Sequence, residues 1–542
     1  MVHPHSVRIS IWLVEGGGGG EAMILSRQHC YSSCKLQPSS YNSFWFSSSL
    51  LILFLVLPLL FISLLISTLG PERYSSLVIF STWKSRTSFP SPSSTSAPTA
   101  PGPADLPGLM EAPLNYSDAV PSVPEFSVPL SENNNEENRT IETPIEPEHT
   151  LKRYSRLERL EASLSRARSS IREAAVVRNL TSVHEDPDYV PRGPIYWNPN
   201  ALHRSYLEME KLFRIYVYRE GEPPMFHYGP CRSIYSTEGL FISEMEKGNI
   251  YRTTDPDEAL VYFLPFSVVM MVEYLYKHGS HEINAIGRSV IDYINIISIK
   301  HLFWNRSLGA DHFMVSCHDW QGPRTSSYVP DLFKNSIRVL CNANTSEGFN
   351  PSKDASFPEI HLRTGKLSGL IGGLSPSRRT ILAFFAGRLH GHIRSLLLSH
   401  WKDRNDSNVQ VYEKVPKGMN YDLMMKKSRF CLCPSGYEVA SPRVVEAIYA
   451  ECVPVLISDG YIPPFSDVLN WKAFSVQVEV KDIPRIKEIL MSISQGQYLR
   501  MQRRVRQVQR HFVLNSPTKR FDVFHMTVHS IWLRRLNIRI KG

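Results

Sequence analysis

Apolar runs and amphipathic segments alternate along the chain from residue 205 onward. Runs rich in β-branched and aromatic residues predict strands, and apolar residues three or four positions apart between the runs predict helices. The predicted strands, in chain order, are 213–218, 259–266, 312–316, 337–341, 380–386, 409–412, 430–433, 453–457 and 474–480. The predicted helices are 236–247, 392–401, 421–427, 483–490, 497–512 and a last helix with Phe521, Phe524, Val528 and Ile531 on one face. This alternation predicts an α/β fold in which helices wrap parallel sheets.

A passage rich in glycine and serine interrupts the alternation at residues 367–377. Such composition is typical of a connection between packed elements, and strands are predicted on both sides of it. The chain of 542 residues is also too long for one ordinary domain. We therefore expect two α/β domains, residues 205–370 and 371–542, with a hinge near residue 370.

An uncharged apolar stretch of twenty residues lies at 50–69 and is long enough to cross a bilayer as one helix. It predicts a signal anchor. A cleaved signal peptide fits less well, because its leader would be the whole of residues 1–49 and the apolar part is too long. Residues 70–150 are rich in Ser, Pro, Thr, Asn and Glu, which predicts a flexible stem without a core.

Sequons for N-glycosylation occur only after this apolar stretch. They begin at Asn115, Asn138, Asn179, Asn305, Asn344 and Asn405. Because such sequons are used in secreted protein regions, their distribution predicts a cytosolic tail at residues 1–49 and a lumenal bulk. The positive charges on the two sides of the stretch do not decide the orientation.

Residues 151–204 predict a helical neck between stem and folded part. Within it, residues 151–177 carry Leu157, Leu160, Leu164 and Ile171 at helical spacing. A single amphipathic helix accounts for this seam. A short coiled coil that joins two chains, as a homo- or hetero-oligomer, is the alternative.

Charge and cysteine content exclude some partners. The net charge of +9 is spread along the chain without a long basic run, which argues against nucleic acid as a partner. The eight cysteines lack the spacing of a zinc site. Six of them follow the apolar stretch, and some should pair in an oxidising lumen, although the sequence does not choose the pairing. Cys431 and Cys433 point to the same side of a predicted strand and are poor partners for each other.

The stretch 430–471 predicts a strand, a tight loop, a helix and a second strand. Ser435 and Gly436 lie in the loop, and Ser441 is expected to cap the helix with Pro442 at its first position. In a right-handed βαβ unit, the loop and the helix start lie at the carboxyl edge of the sheet, where anionic ligands bind. Arg443 and Glu446, three residues apart, share one helix face. We interpret them as contacts to the phosphates and ribose of a nucleotide sugar.

A second candidate for phosphate contact is the pair Gly387 and Arg388. It follows the predicted strand 380–386 and precedes a helix, as a phosphate loop does. A simple turn between strand and helix is the alternative. Arg394, in the following helix, is either part of this site or a solvated charge.

Candidates for a catalytic base lie in the first predicted domain. His318 and Asp319 end a predicted strand, so at the carboxyl edge they would face the cleft and can accept a proton from a hydroxyl. A hydrogen-bonded structural pair beside Trp320 is the alternative. His227 and Glu238 are weaker candidates for the same role.

Two Asp-Pro-Asp segments, at 186–188 and 255–257, match the Asp-x-Asp pattern of metal-dependent sugar transferases. The second segment precedes a predicted buried strand rather than ending one. It is therefore interpreted as turn chemistry, and no metal site is expected there.

These segments together resemble the exostosin family, glycosyltransferase family 47. The motifs with the strongest resemblance are FCLCPSG at 430–436, SPRVVEA at 441–447, CVPV at 452–455, then Tyr461 and Pro464-Phe465. Further matches are IYVY at 215–218, Tyr235 with Glu238, 255–257 with 263–265, 304–306 with 309–312, and Arg379 with 384–387. The resemblance covers about residues 205–535. It is closest to the plant "probable glycosyltransferase" branch, whose relatives build cell-wall polysaccharides.

The resemblance implies a GT-B type fold, in which two Rossmann-like domains face a cleft and the C-terminal one binds the nucleotide sugar. It implies inverting transfer from a UDP-sugar to a glycan acceptor, with no metal ion or other cofactor, by a type II membrane protein of the Golgi apparatus. By position, Arg443 and Glu446 match the family's Arg and Glu in the nucleotide-binding helix. Glu451 departs from the family's pattern, since many relatives have glycine there. Because this position is at a helix end, the departure should leave the site intact.

Two functions of other classes are compatible with the same segments. One is a non-catalytic subunit that scaffolds a polysaccharide synthase complex, and the other is a glycan-binding protein similar to a lectin. The complete Arg443 and Glu446 pattern favours the enzyme over the scaffold, and the lectin-like protein would bind no nucleotide at all.

Overall fold

The structure is a computed structural model that describes residues 155–540 apart from 177–185, 187, 322, 366, 368, 403 and 405. The predicted cytosolic tail, membrane segment 50–69 and stem 70–150 lie outside the described residues. Within the described part of the chain, no helix is both long and apolar enough to cross a bilayer.

Eleven strands in the described residues form two sheets, and every pairing within them is parallel. The first sheet has the order β2-β1-β3-β4-β5-β6 and the second β11-β10-β9-β7-β8. The strands are β1 Ile215–Val217, β2 Arg252–Thr253, β3 Val261–Phe263, β4 His312–Ser316, β5 Ile337–Leu340, β6 Ala355–Ser356, β7 Ile381–Ala386, β8 Val409–Tyr412, β9 Ser428–Pro434, β10 Val453–Ile457 and β11 Val476–Gln477. Two parallel sheets in a mixed α/β structure are consistent with a GT-B-like fold, as expected from the sequence.

Helices connect the strands and cover the sheets. They are α1 Arg156–Val176, α2 Pro199–Leu212, α3 Ser236–Lys247, α4 Val268–Leu275, α5 Asn284–Lys300, α6 Leu302–Ser307, α7 Pro323–Ser326, α8 Pro330–Lys334, α9 His392–Trp401, α10 Tyr421–Lys427, α11 Arg443–Tyr449, α12 Ile486–Ser492, α13 Gln495–Val508 and α14 Val523–Asn537. Short 3₁₀ turns lie at Asp319–Gln321, Thr345–Glu347, Pro376–Arg378, Trp471–Ala473, Val480–Arg485 and Gln509–Phe512.

The interior strands are buried on both faces, which explains their continuous apolar runs. All residues of β4, β5 and β10 are buried. In the predicted first strand 213–218, polar and apolar residues alternate in the sequence, but all three residues of β1 are buried between β2 and β3. Aromatic side chains such as Tyr216 and Tyr218 fill this core rather than facing solvent.

The order of strands fixes where a ligand can bind. In the second sheet, β7 lies between β8 and β9. The next strand in the chain, β8, is added on one side of β7, and the later strands β9 and β10 are added on the other side. This change of direction is a topological switch point, and the crevice outside the carboxyl ends of the two central strands is the usual binding place in open α/β sheets. Gly387 follows β7 and Ser435 follows β9, so both predicted loops lie at this crevice.

The last helix, α14, returns to the first sheet. Arg534 Nε donates to the carbonyl of Asp354 at 2.9 Å, and Arg535 Nε donates to the carbonyl of Leu260 at 2.7 Å. All four predicted face residues of this segment are at most 5% exposed. The predicted hinge near residue 370 lies between β6 and β7. The first sheet is nevertheless covered in part by α14, from the end of the chain.

The predicted neck helix packs against its own chain. Leu164 and Ala167 of α1 are buried, and Arg168 Nε donates to the carbonyl of Leu536 at 2.6 Å. Arg535 also contacts Glu161. The apolar side of α1 therefore packs against the same chain, as expected for a single amphipathic helix.

Two disulfides lie in the described residues. Cys317 pairs with Cys341 between the ends of β4 and β5, and Cys431 of β9 pairs with Cys452 just before β10. The prediction that Cys431 and Cys433 do not pair with each other is confirmed. Cys433 is buried as a free thiol, and burial raises its pKa to about 12.

Candidate active site

A cavity of about 460 Å³ opens at the switch point of the second sheet and is closed from the other side by the segment that follows β6. Its lining residues are Ile234, Tyr235, Glu359, His361, Arg363, His390, Arg394, Tyr421, Glu438, Ala440, Pro442, Arg443 and Glu446. The cavity thus has arginines and carboxyl groups on its walls, contributed by both sheets.

Arg443 reaches from the start of α11 to the end of β7. Its Nη2 donates to the carbonyl of Ala386 at 3.0 Å, and its guanidinium lies 5.1 Å from the ring centroid of Phe385. Gly387 makes this approach possible, because a Cβ at that position would lie 2.3 Å from Arg443 Nη2. Guanidinium has five N–H donors in a planar fork, so donors remain for an anion in the cavity. The structure therefore brings Gly387 and Arg443 together.

Glu446 lies one turn further along α11 and faces the same cavity. Its Oε2 accepts a hydrogen bond of 2.7 Å from the Tyr421 hydroxyl, and its Oε1 lies 3.4 Å from His361 Nδ1. Burial acts to raise the pKa of Glu446, but the bonds from His361 and Tyr421 and the charge of Arg443 outweigh it, so the pKa lies below its ordinary value. Glu446 is thus held as a carboxylate that accepts hydrogen bonds.

Ser435 and Gly436 shape the loop at the end of β9. Their backbone N–H groups donate to the carbonyls of Ile457 and Glu438, at 3.0 and 2.8 Å. The Ser435 hydroxyl donates to the carbonyl of Val439 at 2.9 Å. These donors are engaged within the protein, so the loop supports the cavity wall rather than presenting N–H groups to it.

The predicted cap at Ser441 differs in the structure. The helix begins at Arg443, with Pro442 in helical conformation before it, and no side-chain capping bond forms. The Ser441 hydroxyl is buried without a hydrogen-bond partner among the described residues. The expectation of a side-chain cap was therefore wrong, and Ser441 contributes only its backbone carbonyl, which accepts from the Val444 N–H at 3.1 Å.

The two arginines predicted after β7 have different environments. Arg388 is exposed and is not among the described residues that line the cavity. Arg394 lines the cavity, and its Nε donates to the carbonyl of Pro434 at 3.4 Å. Burial, followed by the charge of Arg443, lowers the pKa of Arg394 to about 10. The alternative of a solvated Arg394 is therefore wrong.

His318 and Asp319 lie behind the cavity wall. His318 Nδ1 is 2.7 Å from Asp319 Oδ1, and the His318 ring is 5.3 Å from that of Tyr235, which does line the cavity. Burial acts to raise the pKa of Asp319, but the His318 bond outweighs it and the pKa lies below its ordinary value. The pair is thus one residue removed from the cavity, with Tyr235 between.

The weaker base candidates are held in internal contacts. Glu238 is fully buried, accepts from the Cys317 N–H at 2.8 Å and from the Ser316 hydroxyl at 3.2 Å, and burial raises its pKa to about 7. His227 Nδ1 lies 2.8 Å from Glu246 Oε1. Neither residue is among the described lining of the cavity.

The Asp-Pro-Asp segment at 255–257 forms a turn, as predicted. Asp255 Oδ1 accepts from the Asp257 N–H at 2.9 Å, and Asp255 Oδ2 pairs with Arg156 of α1 at 2.6 Å. The earlier Asp186 accepts from the Asp188 N–H at 3.0 Å in the same way.

Sequence reasoning missed the residues that close the cavity from the first sheet. Glu359 and His361 come after β6, a strand of only two residues in a polar context. The rule that ligand-binding groups follow parallel strands would have found them if β6 had been recognised. Tyr421 and Glu438 lie close to predicted elements, but nothing in their spacing distinguished them.

Glu451 has a backbone conformation in which glycine is common. Its φ of 53° lies in the left-handed region, where a helix commonly ends on glycine. Here Gln502 Nε2 donates to Glu451 Oε2 at 3.3 Å and Arg506 Nε lies 3.4 Å from Oε1. The side chain points away from the cavity residues, as expected for a departure that leaves the site intact.

The site defines the class of protein. Arginines that can bind an anion and carboxyl groups that can accept protons from hydroxyls border one polar cavity between two parallel sheets, as in a group-transfer enzyme. Comparison with known proteins narrows this class. The Exostosin GT47 domain matches residues 209–493, more than half of the chain. The chain therefore belongs to the exostosin GT47 family of glycosyltransferases.

Several relatives are plant proteins. The chain is 54% identical over 461 residues to probable glycosyltransferase At5g03795 of Arabidopsis thaliana, covering 82% of this chain and 86% of the relative. It is 58% identical over 385 residues to probable glycosyltransferase At3g07620 of the same species, covering 70% and 82%. A more distant similarity, 26% over 362 residues, covering 60% and 78%, is to probable glucuronoxylan glucuronosyltransferase IRX7, also of Arabidopsis thaliana.

Proposed function

We propose that this protein is a type II membrane glycosyltransferase of the Golgi apparatus that transfers a sugar from a UDP-sugar to a glycan acceptor, with inversion. The observation that carries the proposal is the cavity in which Arg443 and Glu446 of the second sheet face Glu359 and His361, which follow the first. A cell-wall polysaccharide is the proposed acceptor, since the distant relatives include one named for glucuronoxylan.

Donor binding uses the second sheet. Arg443, fixed to the end of β7 through Ala386, directs its remaining N–H donors to the diphosphate. Glu446, already held as a carboxylate by Tyr421 and His361, accepts from the ribose hydroxyls. Arg394 adds a second cation to the same wall. No metal ion or other cofactor is required in this proposal.

Transfer then proceeds as one displacement. The acceptor oxygen attacks the anomeric carbon from the face opposite the diphosphate, and a base on the protein takes the hydroxyl proton. The bond between the anomeric carbon and the phosphate oxygen breaks, and its electron pair leaves with UDP. Negative charge grows on the diphosphate, where the preorganised arginines stabilise it. The configuration at the anomeric carbon is inverted.

The lumenal location is supported by the described cysteines and sequons. Disulfides persist in oxidising compartments, and Cys317–Cys341 and Cys431–Cys452 are such pairs. A membrane segment at 50–69 with residues 1–49 in the cytosol would place both disulfides in the lumen.

Two sequons in the described residues should behave differently. Asn305 is exposed, whereas Asn344 is 6% exposed and its Oδ1 accepts from the Ser346 N–H at 3.1 Å. A glycan on Asn344 Nδ2 would have no room in this buried position, so we expect occupancy at Asn305 and none at Asn344. Glycopeptide mass spectrometry of the protein from plant membranes measures both. An unmodified Asn305 would contradict the lumenal location, and a glycan on Asn344 would contradict the local structure.

The proposed donor is tested with the full chain in detergent. Release of UDP is measured against a panel of UDP-sugars, with oligosaccharides of plant cell-wall polysaccharides as acceptors. We expect turnover with at least one donor and one acceptor, and a product of inverted configuration by NMR. Binding of UDP without transfer to any acceptor would contradict the enzymatic proposal.

Glu446→Gln isolates the donor contact. Gln keeps the size of the side chain but removes the charge that accepts hydrogen bonds, a loss worth about 1.5–3 kcal/mol for a charged group. We expect UDP affinity, measured by calorimetry, to fall by about ten- to a hundredfold. The matched control is Glu413→Gln, an exposed residue paired with Lys402, which should bind UDP like the unaltered protein. Equal affinities in both variants would remove Glu446 from the site.

A further inference from the structure

Glu359 and Glu438 form a pair of carboxyl groups on the wall of the cavity. Glu438 follows β9, and Glu359 follows β6, so the pair joins the two sheets across the cavity. Glu359 is 3% exposed, and both its oxygens lack a hydrogen-bond donor among the described residues. The carboxyl group of Glu438 lies within hydrogen-bonding reach of it.

Such a pair shares a proton. Two carboxylates accept hydrogen bonds only, so they can bond to each other only when one of them is protonated. Burial and then the Glu438 charge raise the pKa of Glu359 well above its ordinary value. Burial and then the Asp319 charge raise the pKa of Glu438. Burial disfavours a charge most at Glu359, so a shared proton favours Glu359 and leaves the negative charge on Glu438.

The surroundings of Glu438 prepare it to act on a substrate. Its Oε1 accepts from the Tyr235 hydroxyl at 3.0 Å, which fixes the carboxylate. The other charged or titratable groups that interact with the pair are His318, Asp319, Arg394 and Tyr461. Glu438 is less buried than Glu359 and lines the same cavity as Arg443, the proposed diphosphate contact.

We propose that Glu438 is the catalytic base of the transfer and that protonated Glu359 is the residue that positions it. This inference rests on the function proposed above. The Glu438 carboxylate takes the proton of the acceptor hydroxyl while the acceptor oxygen bonds to the anomeric carbon. The electron pair of the broken bond leaves with UDP, beside Arg443. His318 and Asp319, behind Tyr235, then tune the pair electrostatically without contacting the acceptor.

The decisive variant is Glu438→Gln in the full chain, because glutamine keeps the size of the side chain and cannot accept the proton. A general base contributes about 10²–10⁴-fold to a rate, so we expect kcat to fall by about a hundredfold or more. The affinity for UDP should change little, since Glu438 is not among the proposed donor contacts. The control is Glu479→Gln, an exposed residue paired with Lys481, which should retain full activity.

Glu359→Gln tests the shared proton. Its amide still donates to Glu438, but the carboxyl group that it replaces makes the stronger hydrogen bond to a carboxylate, and a stronger bond to the charged form lowers a pKa more. The replacement therefore raises the pKa of Glu438. Because the base works only when ionised, activity falls as pH drops through its pKa, and this acidic limb should move to higher pH in Glu359→Gln. We expect kcat at neutral pH to fall by less than about tenfold. A merely structural Glu359 would leave the limb where it is.

The outcomes separate this inference from the proposed function. Absence of turnover by the unaltered protein would overturn the proposed function and this inference with it. Retained turnover in Glu438→Gln, with transfer intact in the unaltered protein, would overturn the inference alone. If the acidic limb of the pH profile does not move in Glu359→Gln, the two carboxyl groups do not share a proton. Thermal unfolding of each variant, equal to that of the unaltered protein, shows that the loss is not one of folding.

Discussion

Arg443→Ala is expected to lower kcat/KM for transfer by about a hundredfold or more. Removing one preorganised donor from a developing charge typically has this effect, and Arg443 is held in place by Ala386 and Phe385 before the donor binds. The loss should appear in kcat as well as in donor affinity, because the charge on the diphosphate is greatest in the transition state. Steady-state kinetics with the active UDP-sugar measure it.

Arg443→Lys sharpens this test. Lysine keeps the charge but not the planar fork, so we expect it to recover only part of the lost rate. The control is Arg503→Ala on α13, where the arginine is exposed and outside the cavity lining. Near-normal turnover in Arg443→Ala would show that this arginine does not contact the donor.

Asp354→Ala is expected to lower the free energy of unfolding by about 3–5 kcal/mol, since it removes the carboxylate that pairs with a buried arginine. Arg338 is 1% exposed and Asp354 is fully buried, and Arg338 Nη2 lies 2.6 Å from Asp354 Oδ2. Asp354 also accepts from the Asn350 N–H at 2.9 Å. This cluster holds the chain between β5 and β6, just before Glu359. Thermal and urea unfolding of the full chain in detergent measure the loss.

The companion variants distinguish charge from packing. Asp257→Ala removes an exposed carboxylate near Arg156 at 3.8 Å, and such surface pairs are worth at most about 1 kcal/mol. Replacing both partners of the buried pair, as Arg338→Met with Asp354→Leu, should recover much of the stability. If Asp354→Ala lowered the free energy of unfolding no more than Asp257→Ala does, the buried pair would not stabilise this part of the first sheet.

The sequence predicted the second sheet and its donor residues more completely than the first. Long apolar runs such as 453–457 and 381–386 have the composition of buried parallel strands, and the glycines that follow them, Gly460 and Gly387, mark their ends. The juxtaposition of Gly387 and Arg443 followed from the rule that carboxyl ends of parallel strands meet. That rule needs only correctly placed strands.

The acidic wall of the cavity could not be derived in the same way. Strand β6 has two residues, and a strand that short has no periodicity to detect. The start of helix α2 could have been predicted, because the sequence places Asn198 before Pro199. Asn198 caps the helix by accepting from the Ala201 N–H at 3.0 Å, and Pro199 is its first residue. The pairing of Glu359 with Glu438 depends on how the two sheets face each other, which no local pattern encodes.

The return of α14 to the first sheet has a consequence for biosynthesis. In the proposed type II topology, β1 to β6 would enter the lumen long before Val523–Asn537, the helix that buries part of their surface. At about 5–20 residues per second, the first sheet waits on the order of ten seconds or more for its last element. We expect lumenal chaperones to hold the nascent chain over this interval, and a short C-terminal truncation to cause retention in the endoplasmic reticulum rather than a milder catalytic defect.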